Sequence, residues 1–148
     1  MKLKKYYILS CSLILVDLYS KYYVNNYITE DYYYWNDFIG LEVTYNTGIA
    51  WGLMTGHAEY TLVLSLLVCG WIINQINNDP EESLLSLFLI LSGALGNISE
   101  RAYGLIIGNQ GRVTDFFILG PIPNFNIADS LITIGISYLL IYEFRRKN

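Results

Sequence analysis

Four stretches of mostly apolar residues alternate with polar segments along the chain, at about residues 6–24, 60–76, 84–98 and 127–144. Each stretch has 15 to 19 residues, which as a helix is roughly 22–28 Å long at about 1.5 Å per residue. A bilayer has a hydrocarbon core of roughly 30 Å. The pattern therefore predicts four transmembrane helices, whose polar flanks or a locally thinner bilayer make up the difference in length.

The first stretch follows a basic segment and has to be distinguished from a cleavable signal peptide. No small-residue cleavage site follows it, and the polar sequence "VDLYSK" comes instead. We therefore expect a retained helix and one membrane domain over residues 1–148. Basic residues gather at both ends of the chain, and with four spans this places both termini in the cytoplasm. These residues are Lys2, Lys4, Lys5, Arg145, Arg146 and Lys147.

Two connecting segments, residues 25–59 and 102–125, then lie on the outer side of the membrane. Alternation over Leu41–Tyr45 predicts a strand, and "NTG" after it predicts a turn. The second segment is interpreted as a short extended stretch, which Pro121 and Pro123 end before the fourth helix. The predicted fold is therefore an all-α membrane protein with a small sheet on the outer side.

Composition supports a membrane protein, since 53% of the residues are hydrophobic and only 15% are charged. Tyrosine occurs 14 times, and amphipathic rings favour the membrane–water interface. A formal charge of -4 argues against a nucleic-acid partner, which needs a basic face. Cys11 and Cys69 both lie in apolar stretches, and we expect buried thiols rather than a disulfide or metal pair.

Polar residues with helical spacing mark the outer ends of the predicted spans. They are Asp17 with Lys21, Asn97 with Arg101, and Asn126 with Asp129. Each has a structural interpretation as well as a functional one. For Asp17 and Lys21 the structural interpretation, a pair on one helix face, is favoured over a catalytic one. Arg101 also suits an anchor at the membrane interface. The asparagines suit helix packing or capping, and Asp129 suits a charge near a helix N-terminus.

Asp115, in the apolar sequence "GRVTDFFILG", is brought back to the membrane level of Asp129. Two carboxylates in a partly dry site cannot easily both ionise, so such a pair shares one proton. This pair suits an aspartic peptidase, in which it activates water and protonates a leaving amine. The rival interpretation is a transporter or channel with a proton or cation pathway through Asp17, Asp115 and Asp129. Against it, the carboxylates cluster at one level and do not cross the membrane.

Five motifs in order give the chain a close resemblance to bacterial lipoprotein signal peptidases, the signal peptidase II family. The motifs are "DLYSK" (17–21), "YNTGIAWGL" (45–53), "GALGNISER" (93–101), "RVTDFF" (112–117) and "FNIADSLITIG" (125–135). The resemblance implies four membrane helices with a small extracytoplasmic sheet and a short outer helix. It also implies a metal-free aspartic endopeptidase of the bacterial inner membrane with no cofactor. Such an enzyme cuts diacylglyceryl-modified prolipoproteins just before the lipidated cysteine and is inhibited by globomycin.

The same resemblance assigns roles to individual residues. Asp115 and Asp129 match the family's catalytic pair. Substrate-binding or supporting positions are matched by Asn46, Asn97, Arg101, Asn126, Asp17 and Lys21. The chain departs from the pattern at Glu100, where aspartate is usual, and in the connector 102–114, which is longer than usual. Glu100 directly precedes Arg101 and bears on how it is held, and the longer connector lies beside the expected substrate entrance.

Overall fold

The computed structural model describes residues 2–36, 38–48, 55–78 and 83–147. It is mostly helical. Each predicted apolar stretch lies inside one of four long helices, which are α1 (Lys2–Tyr27), α2 (Ala58–Asn78), α3 (Leu84–Ile106) and α4 (Ile127–Lys147).

Within the described ranges, three helices are long and apolar enough to cross a membrane. They are Ala58–Asn78, Leu84–Ile106 and Ile127–Arg146. The 26 residues of α1 would reach roughly 39 Å at about 1.5 Å per residue. This helix is less apolar than the other three, because Asp17, Lys21 and the basic N-terminal residues interrupt it. Its membrane crossing stays a prediction.

A four-stranded antiparallel sheet lies between the helices in sequence. Its strands are β1 (Tyr32–Tyr34), β2 (Ile39–Asn46), β3 (Val113–Leu119) and β4 (Ile122–Phe125), in spatial order β1-β2-β3-β4. The predicted strand lies in β2, and the predicted extended stretch is β3. Pairing of Thr44 with Asp115 joins the two long connecting segments into one sheet.

The predicted short outer helix is absent from the described parts of both connecting segments. Residues 49–54, which include part of the "YNTGIAWGL" motif, lie outside the described residues. That prediction therefore stays open.

Helix α3 occupies the centre of the fold, because it packs against α1, α2, α4 and β3. Its buried face supplies most of the hydrophobic core, with Leu87, Phe88 and Leu91 packed against Ile72 of α2. The prediction of buried thiols is confirmed for Cys69 and wrong for Cys11. Cys69 is buried in this core, whereas Cys11 lies on the exposed surface of α1.

Glycines allow α3 and α4 to approach closely. A Cβ atom at Gly93 would meet the backbone oxygen of Ala128 and, at 2.8 Å, the side chain of Ile132. Gly135 of α4 faces Ile90 of α3 in the same way. This close contact places the first turn of α4 directly beside the C-terminal half of α3, where the polar motifs lie.

Candidate active site

Seven of the eight predicted site residues form one continuous network of side-chain contacts. The network lies where the C-terminal ends of α1 and α3 and the N-terminal end of α4 meet the sheet, which we call the site end. Its members are Asp17, Lys21, Asn46, Asn97, Asp115, Asn126 and Asp129. Arg101, the eighth residue, joins the network only through backbone groups.

Asp115 lies on β3 and is 4% exposed. Asn126 Nδ2 donates to its Oδ1 at 2.6 Å, and Asn46 Nδ2 donates to its Oδ2 at 3.2 Å. The amide oxygen of Asn46 accepts the backbone N–H of Gly48 at 2.8 Å. That turn fixes the orientation of the Asn46 amide, so its nitrogen points toward Asp115.

Asp129 lies in the first turn of α4 and forms a reciprocal capping box with Asn126. The N–H of Asp129 donates to Asn126 Oδ1 at 2.9 Å, and the N–H of Asn126 donates to Asp129 Oδ2 at 3.2 Å. Asn97 Nδ2 donates to the other carboxylate oxygen at 2.9 Å. The capping interpretation of Asp129 is therefore correct. It does not exclude a catalytic role, because the cap also fixes the carboxylate beside Asp115.

Lys21 is 2% exposed and connects the first helix to this site. Its Nζ lies 2.8 Å from Asp17 Oδ2 and donates to Asn97 Oδ1 at 2.7 Å. Asp17 accepts the backbone N–H of Ala128 at 2.8 Å, and Gly96 leaves the space that its carboxylate occupies. The Asp17–Lys21 pair thus holds α1 against both α3 and α4, as its structural interpretation predicts.

Sequence reasoning did not find the role of Glu100, which holds β3. Its carboxylate accepts the N–H of Thr114 at 3.1 Å and the hydroxyl of Thr114 at 2.6 Å. Lys21 lies 3.4 Å away, and Asn25 Nδ2 donates to the Thr114 hydroxyl at 2.8 Å. Because Thr114 directly precedes Asp115, these contacts fix the strand at the carboxylate. A threonine one position before a candidate aspartate was the available signal.

Arg101 is held by two backbone oxygens. Its guanidinium donates to the backbone oxygen of Gly48 at 2.8 Å and to that of Gly111 at 3.1 Å. These contacts tie the end of β2 and the longer connector to α3. Arg101 therefore shapes the site by holding two backbone segments.

Burial is the main cause of a raised pKa at Asp115, which reaches about 7. The negative charge of Asp129 raises it further. Hydrogen bonds from Asn46 and Asn126 and the charge of Lys21 act in the opposite direction. The two carboxylates are therefore electrostatically coupled, and near neutral pH they suit a pair that shares one proton.

A groove of about 1170 Å³ leads to both carboxylates. Its floor is α3, with Ile90, Ala94 and Asn97, and its walls are α2 and α4. Asn46, Asp115 and Asp129 line its polar end, while most of its length is apolar. An extended apolar chain that enters between α2 and α4 would reach the carboxylates. The described residues contain no group of three or more His, Cys, Asp or Glu side chains arranged to hold a metal ion.

Comparison with known proteins places this geometry in context. A family model described as signal peptidase (SPase) II matches residues 9–145. The lipoprotein signal peptidase of Francisella tularensis subsp. novicida is 36% identical over 149 aligned positions, covering 92% of this chain and 89% of the relative. The lipoprotein signal peptidase of Dehalococcoides mccartyi is 32% identical over 136 positions, covering 86% and 81%.

A solved structure of a bacterial membrane enzyme at 2.3 Å resolution has the same fold. It superimposes with a TM-score of 0.86 at 23% sequence identity, covering 98% of this chain and 90% of that chain. A second such structure, at 1.9 Å resolution, has a TM-score of 0.80.

Proposed function

The chain belongs to the signal peptidase II family, and we propose that Asp115 and Asp129 are the proton-sharing pair with which it cleaves prolipoproteins. Peptidase activity on prolipoprotein signal peptides follows from the family. One observation carries the assignment of the pair: every oxygen of the two carboxylates accepts an N–H donor, and both carboxylates line the polar end of one apolar groove.

The groove suits a substrate that is itself anchored in lipid. The apolar segment of a signal peptide would lie against Ile90 and Ala94 of α3, between Val68 of α2 and Ile136 of α4. A diacylglyceryl group on the cysteine that follows the scissile bond would stay in the surrounding bilayer. This arrangement places the bond just before that cysteine at the carboxylates. A globomycin-type cyclic peptide would inhibit by occupying the same polar end.

In the reaction, one aspartate is ionised and removes a proton from a water molecule. The water oxygen attacks the scissile carbonyl carbon, and the neutral aspartate donates a hydrogen bond to the carbonyl oxygen. The tetrahedral intermediate then collapses, the C–N bond breaks, and a proton passes from the pair to the leaving nitrogen. The proton belongs to the pair, because the two carboxylates titrate as a unit.

The other residues of the network position the pair. Asn126 contacts both carboxylates, and Asn97 links Asp129 to Lys21. Asn46 and Arg101 also line the groove, where they would orient the substrate backbone. In this proposal α1 also crosses the membrane, which makes four spans with α2, α3 and α4. Both termini then lie in the cytoplasm, and the site end lies at the outer surface of the inner membrane.

The test is cleavage of a purified diacylglyceryl-modified prolipoprotein by the full-length chain in nanodiscs, with the product located by mass spectrometry. Wild-type protein is expected to cut once, before the lipidated cysteine. Asp115→Asn and Asp129→Asn are nearly isosteric changes, and each is expected to lower kcat at least about 10³-fold, as loss of one member of a catalytic unit does.

The matched control is Asp31→Asn, which removes an exposed carboxylate from the loop before β1 and is expected to keep the wild-type rate. Circular dichroism and thermal unfolding establish that each variant is folded. A folded Asp115→Asn or Asp129→Asn variant with near-wild-type kcat would remove that residue from the mechanism. Folded wild type that leaves the substrate intact while conducting protons in liposomes would favour the ion pathway.

A further inference from the structure

A second cavity, of about 270 Å³, lies on the opposite face of β3 from the catalytic groove. Side chains alternate along this strand, so Val113 and Asp115 line the groove while Arg112 and Thr114 line the cavity. The longer connector after α3 builds much of its wall. The polar side chains that line it include Asn25, Tyr45, Glu100, Asn109, Arg112 and Thr114.

The connector is fixed against α3 by close backbone contacts, so the cavity is preformed. Asn109 N–H donates to the backbone oxygen of Gly104 at 2.7 Å. Gly111 has a φ of +60° and lies against Gly104. A Cβ atom built on Gly104 would lie 3.1 Å from the Cα atom of Gly111. The guanidinium of Arg101 donates to the backbone oxygen of Gly111. This segment therefore presents Asn109 and Arg112 in fixed positions.

Arg112 lines this cavity with a positive charge that has no carboxylate partner among the described residues. Its guanidinium lies over the ring of Tyr45, 4.1 Å from the ring centroid. Its Nε is buried and has no hydrogen-bond partner in the described part of the chain. No carboxylate among the described residues lies within ion-pairing distance of it. A half-buried guanidinium in this state is expected to have an anionic partner that lies outside the chain.

The remaining walls leave that partner room and do not compete for Arg112. Glu100 is already engaged by Thr114 and Lys21. Asn25 is engaged by Thr114 and by the hydroxyl of Tyr45. The volume is just below the roughly 300 Å³ at which drug-sized pockets begin. It therefore suits a compact anion such as a phosphate group.

The surface around the cavity favours a phosphate that is attached to a lipid. Tyr103, which lines the cavity, is 63% exposed. Exposed tyrosines also cover the C-terminal part of α1, at Tyr22 and Tyr27. Aromatic rings of this kind favour the depth of the lipid headgroups.

We propose that this cavity binds the phosphate of a membrane phospholipid, with Arg112 clamped on Tyr45 as the phosphate-binding residue. The acyl chains would extend from the cavity toward the membrane core, and Asn109 would donate a further hydrogen bond. The site is separate from the catalytic groove, and the proposal does not depend on the assignment of the catalytic pair.

The test is native mass spectrometry of the full-length chain in detergent, titrated with phosphatidylglycerol or with a diacylglycerol that has the same acyl chains. Wild type is expected to retain phosphatidylglycerol and not diacylglycerol. Arg112→Gln is expected to bind phosphatidylglycerol about tenfold more weakly, since a guanidinium–phosphate pair is charge-assisted. Arg112→Lys keeps the charge and loses the planar fork, so it is expected to fall between the two.

Arg145→Gln is the matched control, because it removes an exposed arginine from the far end of α4; its affinity should equal that of wild type. Titration with inorganic phosphate separates the two sources of the anion. Displacement of the lipid at millimolar phosphate would assign the cavity to free phosphate, and retention of the lipid would assign it to the headgroup. Equal affinity of wild type and folded Arg112→Gln or Arg112→Lys for phosphatidylglycerol would overturn the proposal. So would equal retention of the two lipids by wild type.

Discussion

At the residue scale, three asparagines hold the two carboxylates through hydrogen bonds. Asn126 donates to Asp115 through its amide nitrogen and caps Asp129 through its amide oxygen. Asn46 and Asn97 each supply one further donor. Asparagine suits this role because one side chain carries both a donor and an acceptor and adds no charge. The three asparagines thus hold two carboxyl groups in place without adding a charge to the site.

These contacts predict the pH dependence of cleavage. Asp115 has a pKa of about 7, so it is neutral below that pH and ionises above it. A pair that needs one proton should lose kcat/KM as pH rises through this range. The Asn46 hydrogen bond lowers the pKa of Asp115, so Asn46→Ala should move the alkaline limb upward. About one pH unit is expected, since a bond to a charged group is worth about 1.5–3 kcal/mol.

The measurement is kcat/KM from pH 5 to 9 for wild type, Asn46→Ala and the control Asn26→Ala. Asn26 is exposed and, among the described residues, donates to the backbone oxygen of Tyr22 alone, so its removal should leave the profile unchanged. An alkaline limb that moves downward in Asn46→Ala, or does not move, would contradict the assignment of this limb to Asp115.

A second prediction concerns the buried ion pair of α1. Lys21→Met leaves Asp17 buried without its cation and also removes the cation beside Glu100, so it should destabilise the fold by about 3–5 kcal/mol. Asp17→Asn should cost less, because Lys21 keeps Glu100 and Asn97 as partners. Adding Asp17→Asn to Lys21→Met should recover part of the loss, because no unpaired carboxylate then stays at position 17.

Thermal unfolding of the purified variants in detergent measures this order. Lys5→Met is the control, since Lys5 is exposed on the same helix. This variant should unfold near the wild-type temperature. Equal unfolding temperatures for Lys21→Met and Lys5→Met would show that the buried pair does not contribute to stability.

Most of the candidate site could be predicted from the sequence, because helical spacing and the resemblance both pointed to residues that the fold brings together. What could not be predicted was the use of each polar group. The guanidinium of Arg101 donates to two backbone oxygens from segments far apart in sequence, and Glu100 of α3 accepts a hydrogen bond from Thr114 of β3. Such contacts depend on how β2 and β3 pair, and local spacing carries no information about that pairing.

At the element scale, each apolar stretch lies inside a helix, and α3 extends furthest beyond its stretch. The third apolar stretch ends near residue 98, whereas α3 continues to Ile106. Glu100 and Arg101 break the apolar pattern, but each finds partners within the fold and the backbone stays helical. The end of an apolar stretch marks where a helix leaves hydrocarbon, and not where its hydrogen bonding stops. Residues 102–106 of the longer connector therefore belong to α3.

The close contact of α3 with α4 gives a third prediction. In Gly93→Ala the added methyl group would meet backbone at Ala128, which cannot move aside as a side-chain end can. The change should destabilise the fold by about 1–3 kcal/mol through overpacking. It should also lower kcat, since Asp129 follows Ala128 in the first turn of α4. The measurements are unfolding temperature and cleavage rate.

Gly70→Ala is the matched control on α2, because a Cβ atom there would meet nothing within 4 Å. Replacing a glycine inside a helix by alanine should stabilise that helix by about 0.5–1 kcal/mol. The two substitutions are chemically identical, so opposite signs would isolate the packing contact. Equal effects of the two substitutions would mean that α4 can move away from α3 at no cost.

At the scale of the whole molecule, the position of α1 decides the number of membrane crossings. In the part of the chain that the structure describes, three other helices meet the requirements for a span by length and composition. α1 is long enough, and its charged pair turns inward against α3 and α4, while Leu15 and Val16 stay exposed. A helix that hides its charges and exposes apolar side chains suits a bilayer. We therefore expect four crossings, with both ends of the chain on one side.

Labelling of single cysteines in intact cells by a membrane-impermeant maleimide tests this topology. In a Cys11→Ser, Cys69→Ala background, Trp35→Cys in the β1–β2 turn should react from outside, since Trp35 is 80% exposed. Lys5→Cys and Arg145→Cys should react only after the cells are permeabilised. If α1 lay on the outer surface instead, three crossings would remain and Lys5→Cys would react from outside while Arg145→Cys stayed protected. The pattern at Lys5 alone therefore distinguishes four spans from three, because the two arrangements agree on the other positions.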